Sequence, residues 1–154
     1  MSQPNRLSLL DAASAISDGQ LTPEMLLASC LDRISEREGD VGAWMHINAE
    51  SAKARAANPA TGPLSGLPIG IKDLIDTVDM PTGYGSSIYA GHQPAQDAAC
   101  VATIRNAGGI VLGKTVSTEF AYFQPGKTAN PNDLGRTPGG SSSGSAAAVA
   151  DYHV

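Results

Sequence analysis

Along the first third of the chain, apolar residues recur at three- and four-residue steps, a spacing that predicts helices. Ser8 can cap one whose first turn carries Asp11; Leu9, Leu10, Ala13 and Ile16 follow, and Gly19 stands where it should stop. A second helix restarts at "LTPEMLL": Thr22 is a good N-cap, Pro23 fits the first helical position and Glu24 favours the positive helix end. Leu26, Leu27, Cys30, Leu31 and Ile34 form its apolar stripe, and Asp32, Arg33, Glu36 and Arg37 read as its solvated face. "AWMHIN" (43–48) alternates as a short strand does, "AESAKARAA" reads as a short helix, and "NPATGPLSG" (58–66) is a turn-rich connector.

Beyond residue 66 the pattern changes to short apolar runs. Leu67 to Ile71 reads as a buried strand followed at once by Lys72. Asp97 is expected to open a helix that runs through Asn106 and closes at Gly108 and Gly109; "IVLGKT" is then a second buried strand, so the order is strand, helix, strand. Phe123 to Gly140 reads as a long loop, and "SAAAVA" as the start of a buried helix. The expected fold class is α/β: N-terminal helices, then part of a mixed β-sheet flanked by helices. The organisation expected is a mainly helical segment (1–57), a connector (58–66) and the start of an α/β core (67–154), with no internal repeat.

Composition narrows the function classes. The hydrophobic fraction of 42% and charged fraction of 16% belong to a globular chain of 154 residues, enough for one domain. A net charge of -5, with ten scattered Lys and Arg and only 5% aromatics, argues weakly against a nucleic-acid partner. No stretch approaches the roughly 18 apolar residues of a membrane span, and "MSQPNRLSLLDAAS" is not a secretory signal. Cys30 and Cys100 lack metal-ligand spacing; a disulfide is open, but buried thiols in a reducing cytoplasm are the favoured reading. His46 has no partner nearby and reads as structural or exposed. No metal or organic cofactor is implied.

The small-residue run "PGGSSSGSAAAVA" (138–150) admits three readings. A flexible linker would not run straight into an apolar helix, and neither phosphate-loop pattern is present. What stays is a site built on backbone: glycine permits conformations denied to other residues, and hydroxyls before a helix meet N–H groups with no intrahelical partner. From spacing alone, the favoured reading of Lys72 is a surface lysine paired with Asp73 or Asp76, and Ser141 reads as a capping hydroxyl.

Three ordered blocks, "GLPIGIKDLIDT", "AGGIVLGKTVSTEFA" and "TPGGSSSGSAAAVA", together resemble the amidase signature family, serine amidohydrolases with a Ser–cis-Ser–Lys triad. The resemblance covers most of the chain and is greatest to short, malonamidase-like amidases; Ser143 stands where many members have glycine. It implies hydrolysis of a small-molecule amide through an acyl-enzyme, with Lys72 as base and Ser141 as the bridging serine, joined to Gly140 by a cis peptide. It leaves Ser142, Ser143 and Ser145 to helix capping and to bonds with the loop. The chemistry stands by itself: a serine hydroxyl needs a base, and a lysine serves only when neutral, which burial favours. The family's nucleophilic serine lies in a glycine-rich segment C-terminal to the bridging serine, and Val154 precedes it. The expectation is therefore an N-terminal part, inactive alone, with "AAAVA" left uncovered. Two alternatives are the amidase-type component of a tRNA-dependent amidotransferase, which shares the triad, and a non-catalytic binding remnant. A homodimer of the complete protein is implied only by resemblance. Tyr84, Phe120, Tyr122 and Arg136 can line a pocket or pack the core.

Overall fold

A computed structural model describes residues 3–154. Its first elements follow local rules. Ser8 Oγ accepts from Asp11 N and opens α1 (Leu9–Ser17); Thr22 Oγ1 accepts from Met25 N and opens α2 (Pro23–Val41), which Gly42 ends in the left-handed conformation at φ 60°. Strand β1 (Trp44–Ile47) follows, and then α3 (Ala49–Ala57), capped by Asn48.

The second half supplies β2 (Pro68–Lys72), α4 (Ala99–Asn106), β3 (Ile110–Thr115) and α5 (Ser143–Ala150). The three strands form one mixed sheet in the order β1-β3-β2, with β3 antiparallel to β1 and parallel to β2. The parallel pair joined through α4 is the expected strand–helix–strand unit. Every residue of β3 is buried, as a central strand requires, whereas in β2 only Ile71 is. The expectation of a buried β2 is thus corrected: it has a neighbour on one side only.

Two apolar layers cover the sheet. Leu27, Ile34, Val41, Trp44, Ala52, Ala56, Ile110, Leu112, Ala147 and Ala148 join α2, α3 and α5 to the strands, while Ile71, Met80, Val101 and Val111 pack beneath α4. Of the "AAAVA" run expected to be open, Ala147 and Ala148 are fully buried, whereas Ala146, Val149 and Ala150 are exposed. Conversely, Leu9 and Leu10 of α1 are 56% and 75% exposed, and the buried residue of that helix is Ala12.

Other local expectations shift for identifiable reasons. Asp97 does not cap α4, which starts two residues later, because its carboxylate accepts from Val78 N and pairs with Arg105. Arg33 and Arg37 do not face solvent alone; both reach Asp151 just after α5, at 2.6 and 3.1 Å. His46 is exposed. Both cysteines are free; Cys30 is buried, its thiol pushed up to about 12 by burial, but Cys100 is exposed. Among the described residues no helix is long and apolar enough to cross a membrane.

Candidate active site

Lys72 and Ser141 are separated by 69 positions and meet in space. Parallel pairing sets Lys72, the last residue of β2, opposite Thr115, the last of β3. From there the side chain of this partly buried residue donates through Nζ to Ser141 Oγ at 2.6 Å. Burial lowers the Lys72 amine below its ordinary value of 10.5, the direction that favours a neutral base.

Ser141 stands just ahead of α5, and the Gly140–Ser141 peptide is cis. Its carbonyl accepts from Thr118 N at 3.0 Å. A Cβ on Gly140 would lie 2.8 Å from the Thr118 methyl group, so glycine permits the close approach here. The Thr118 hydroxyl itself is buried without a hydrogen-bond partner. Two of the neighbouring serines bond to the end of the central strand and to the residue just past it. Ser143 Oγ donates to Val116 O, Ser145 Oγ lies 2.6 Å from Thr115 Oγ1, and the Ser142 side chain makes no capping bond.

Neither carboxylate proposed as an alternative partner engages Lys72. Asp73 sits 3.4 Å from Lys114, and Asp76 accepts from the Tyr84 hydroxyl at 2.7 Å. Lys114, next to last in the run "IVLGKT", is fully buried, and its Nζ donates to Thr82 Oγ1 at 2.6 Å. Burial pushes Asp73 up and Lys114 down, and each is opposed by the other's charge. Sequence reasoning missed Lys114, Thr82 and Thr118, and offered Asp73 to Lys72 rather than to Lys114; the readable signal was a lysine inside a strand with no polar alternation.

A cavity of about 440 Å³ opens beside Ser141, lined by Thr118, Tyr122, Phe123 and Thr137 among others. Tyr122 therefore lines a pocket. Tyr84 and Phe120 join an aromatic cluster with Tyr89 and His92, and Arg136 lies on an exposed loop paired with Asp133. A larger, more apolar space of about 550 Å³ lies between the N-terminal segment, β2 and α5, touching Ser145 but neither Lys72 nor Ser141. Of the two, the smaller space is the one that reaches Ser141, the residue bonded to Lys72. Among the described residues no three His, Cys, Asp or Glu side chains gather as metal ligands would.

The family model for amidases matches residues 25–153. The A component of the glutamyl-tRNA(Gln) amidotransferase of Salinispora arenicola is 39% identical, over 100% of this chain and 34% of its own length. The peptide amidase of Stenotrophomonas maltophilia is 32% identical, with a TM-score of 0.85 over 93% of this chain and 34% of that one. A substrate complex of 6-aminohexanoate cyclic dimer hydrolase superposes with a TM-score of 0.90 at 27% identity, over 99% of this chain and 33% of that one. The chain thus spans about a third of the length of these relatives.

Proposed function

The chain belongs to the amidase family, and from that premise we propose that Lys72 and Ser141 are the base and the bridging hydroxyl of a centre that hydrolyses a carboxamide C–N bond. The observation that carries this reading is the 2.6 Å contact between a partly desolvated amine and a hydroxyl held by its own backbone.

In the proposed reaction a serine nucleophile, supplied by a segment of the complete protein outside these 154 residues, attacks the carbonyl carbon. Its proton passes to Ser141 Oγ as the Ser141 proton passes to neutral Lys72 Nζ. The relay then runs backward: the C–N bond breaks, the proton reaches the leaving nitrogen, and an acyl-enzyme remains. Water, deprotonated through the same two groups, hydrolyses it. The sign of the pH dependence follows. The active form holds Lys72 neutral, so kcat/KM rises with pH through the Lys72 pKa. Because burial lowers that pKa, the rise falls below the ordinary lysine value.

Ammonia release by the complete protein tests this. Lys72→Ala and Ser141→Ala should each lose on the order of 10²-fold or more in kcat, the usual scale of a proton-transfer contribution. Turnover that survives both substitutions contradicts the assignment.

A second reading, the amidase-type component of a tRNA-dependent amidotransferase, is favoured by the 39% identity to that component of the Salinispora arenicola glutamyl-tRNA(Gln) enzyme across the whole chain. It uses the same two residues, and it removes the weight that the net charge of -5 lent to an absence of nucleic-acid partners. Free carboxamides hydrolysed by the protein alone support the first reading. Turnover that needs glutamyl-tRNA(Gln) and partner proteins supports the second.

A further inference from the structure

The proton relay leaves two buried charged groups unused, Lys114 and Asp73. We propose that they form a positioning pair that holds the loop 81–85 and, through it, keeps Lys72 and Ser141 in register; this rests on the amide-hydrolysis reading above.

A lysine is almost never fully buried unless it is paired. Lys114 has no exposed surface, and its Nζ reaches Thr82 Oγ1 at 2.6 Å, Pro81 O at 3.3 Å and Asp73 Oδ1 at 3.4 Å. Asp73 Oδ2 accepts from Gly83 N at 3.1 Å. The ends of β2 and β3 and the 81–83 backbone are thus tied at one point. An apolar residue at position 114 would fill a central strand with no desolvation cost, so the ion pair is not explained by stability alone. Two further charges face Lys114, and each is held elsewhere: Asp76 by the Tyr84 hydroxyl and Asp79 by Arg105.

From this point the contacts run to both arms of the site. Toward the base, Asp73 is covalently next to Lys72, and its backbone N donates to Thr115 O at 2.8 Å, which fixes how the end of β2 presents Lys72. Toward the bridge, Gly85 at φ 71° passes so close to Thr118 that a Cβ would sit 2.6 Å from its carbonyl oxygen. Phe120 N donates to Tyr84 O at 2.8 Å, and Thr118 N donates to Ser141 O at 3.0 Å. The loop is therefore the shared support of both groups. Neither Lys114 nor Asp73 touches Ser141; they act through the loop.

The test measures ammonia release against pH in the complete protein carrying Lys114→Met or Thr82→Val, with Lys72→Ala alongside. Misplacing a relay by about 1 Å costs on the order of 100-fold. Lys114→Met should lower kcat by about that factor with KM within roughly twofold. It should also move the acid limb of kcat/KM to higher pH, because a loosened Lys72 amine regains solvent and its ordinary basicity. Thr82→Val, which removes one hydroxyl, should do the same more weakly, and it decides the matter if Lys114→Met does not fold. A plateau lowered at every pH with the limb fixed, or kcat unchanged in both variants, overturns the pair. Turnover that survives Lys72→Ala instead overturns the relay itself, so the two failures are told apart.

Discussion

The helical segment from Leu9 to Ala57 and the segment from Pro68 to Ala150 are built on different physics. In the first, each helix is opened by a side chain three residues ahead of the N–H it accepts: Ser8, Thr22 and Asn48. In the second, α4 and α5 have no side-chain cap, and left-handed backbone falls on non-glycine residues Tyr84, Phe120 and Ala121. Those residues lie in and around the proposed site. Local rules make the scaffold; contacts between distant segments make the site, where unusual backbone tends to collect.

Substitutions that treat the two segments alike should give unlike results. The largest effect is expected at Gly144, where a Cβ would collide with the Ala43 carbonyl oxygen and the Val116 backbone nitrogen. Gly144→Ala should unseat α5 from the central strand and cost roughly 4 kcal/mol or more, read as loss of the cooperative unfolding transition. Asp151→Ala comes next. It removes the mostly buried carboxylate that receives Arg33 and Arg37 from α2, and because both arginines are partly solvated the loss should be about 1–3 kcal/mol in a urea titration. Thr22→Ala deletes one local cap and should cost about 1 kcal/mol, with turnover unchanged. Smallest is Gly39→Ala: nothing lies within 4 Å of the new methyl group near the end of α2, so helix propensity alone should add about 0.5–1 kcal/mol of stability. Equal effects at Gly39 and Gly144 would erase the contrast.

The same contrast explains what could be read from the chain. Helices α1 to α3 and the two parallel strands were legible because capping and periodicity are written in consecutive residues. Arg33 and Arg37 were misassigned to solvent because periodicity gives a helix its faces without saying which distant segment covers them; Asp151 lies more than a hundred positions away. Asp97 has the chemistry of a cap, yet its carboxylate is taken by Val78 N and Arg105, a tertiary claim on a local signal. At the site, Lys72 and Ser141 were named through family resemblance, since no spacing rule joins residues 69 apart. Lys114 escaped because one lysine in an apolar run looks like a strand end until its partners are seen.

The central claim is that Lys72 and Ser141 act as one proton path, and a double-mutant cycle on amide turnover in the complete protein tests it most directly. If they are one path, the Lys72→Ala, Ser141→Ala double variant should be no more than about threefold slower than the slower single variant, as groups acting as a unit behave. Losses that multiply, or a Ser141→Ala enzyme with full turnover, would contradict it.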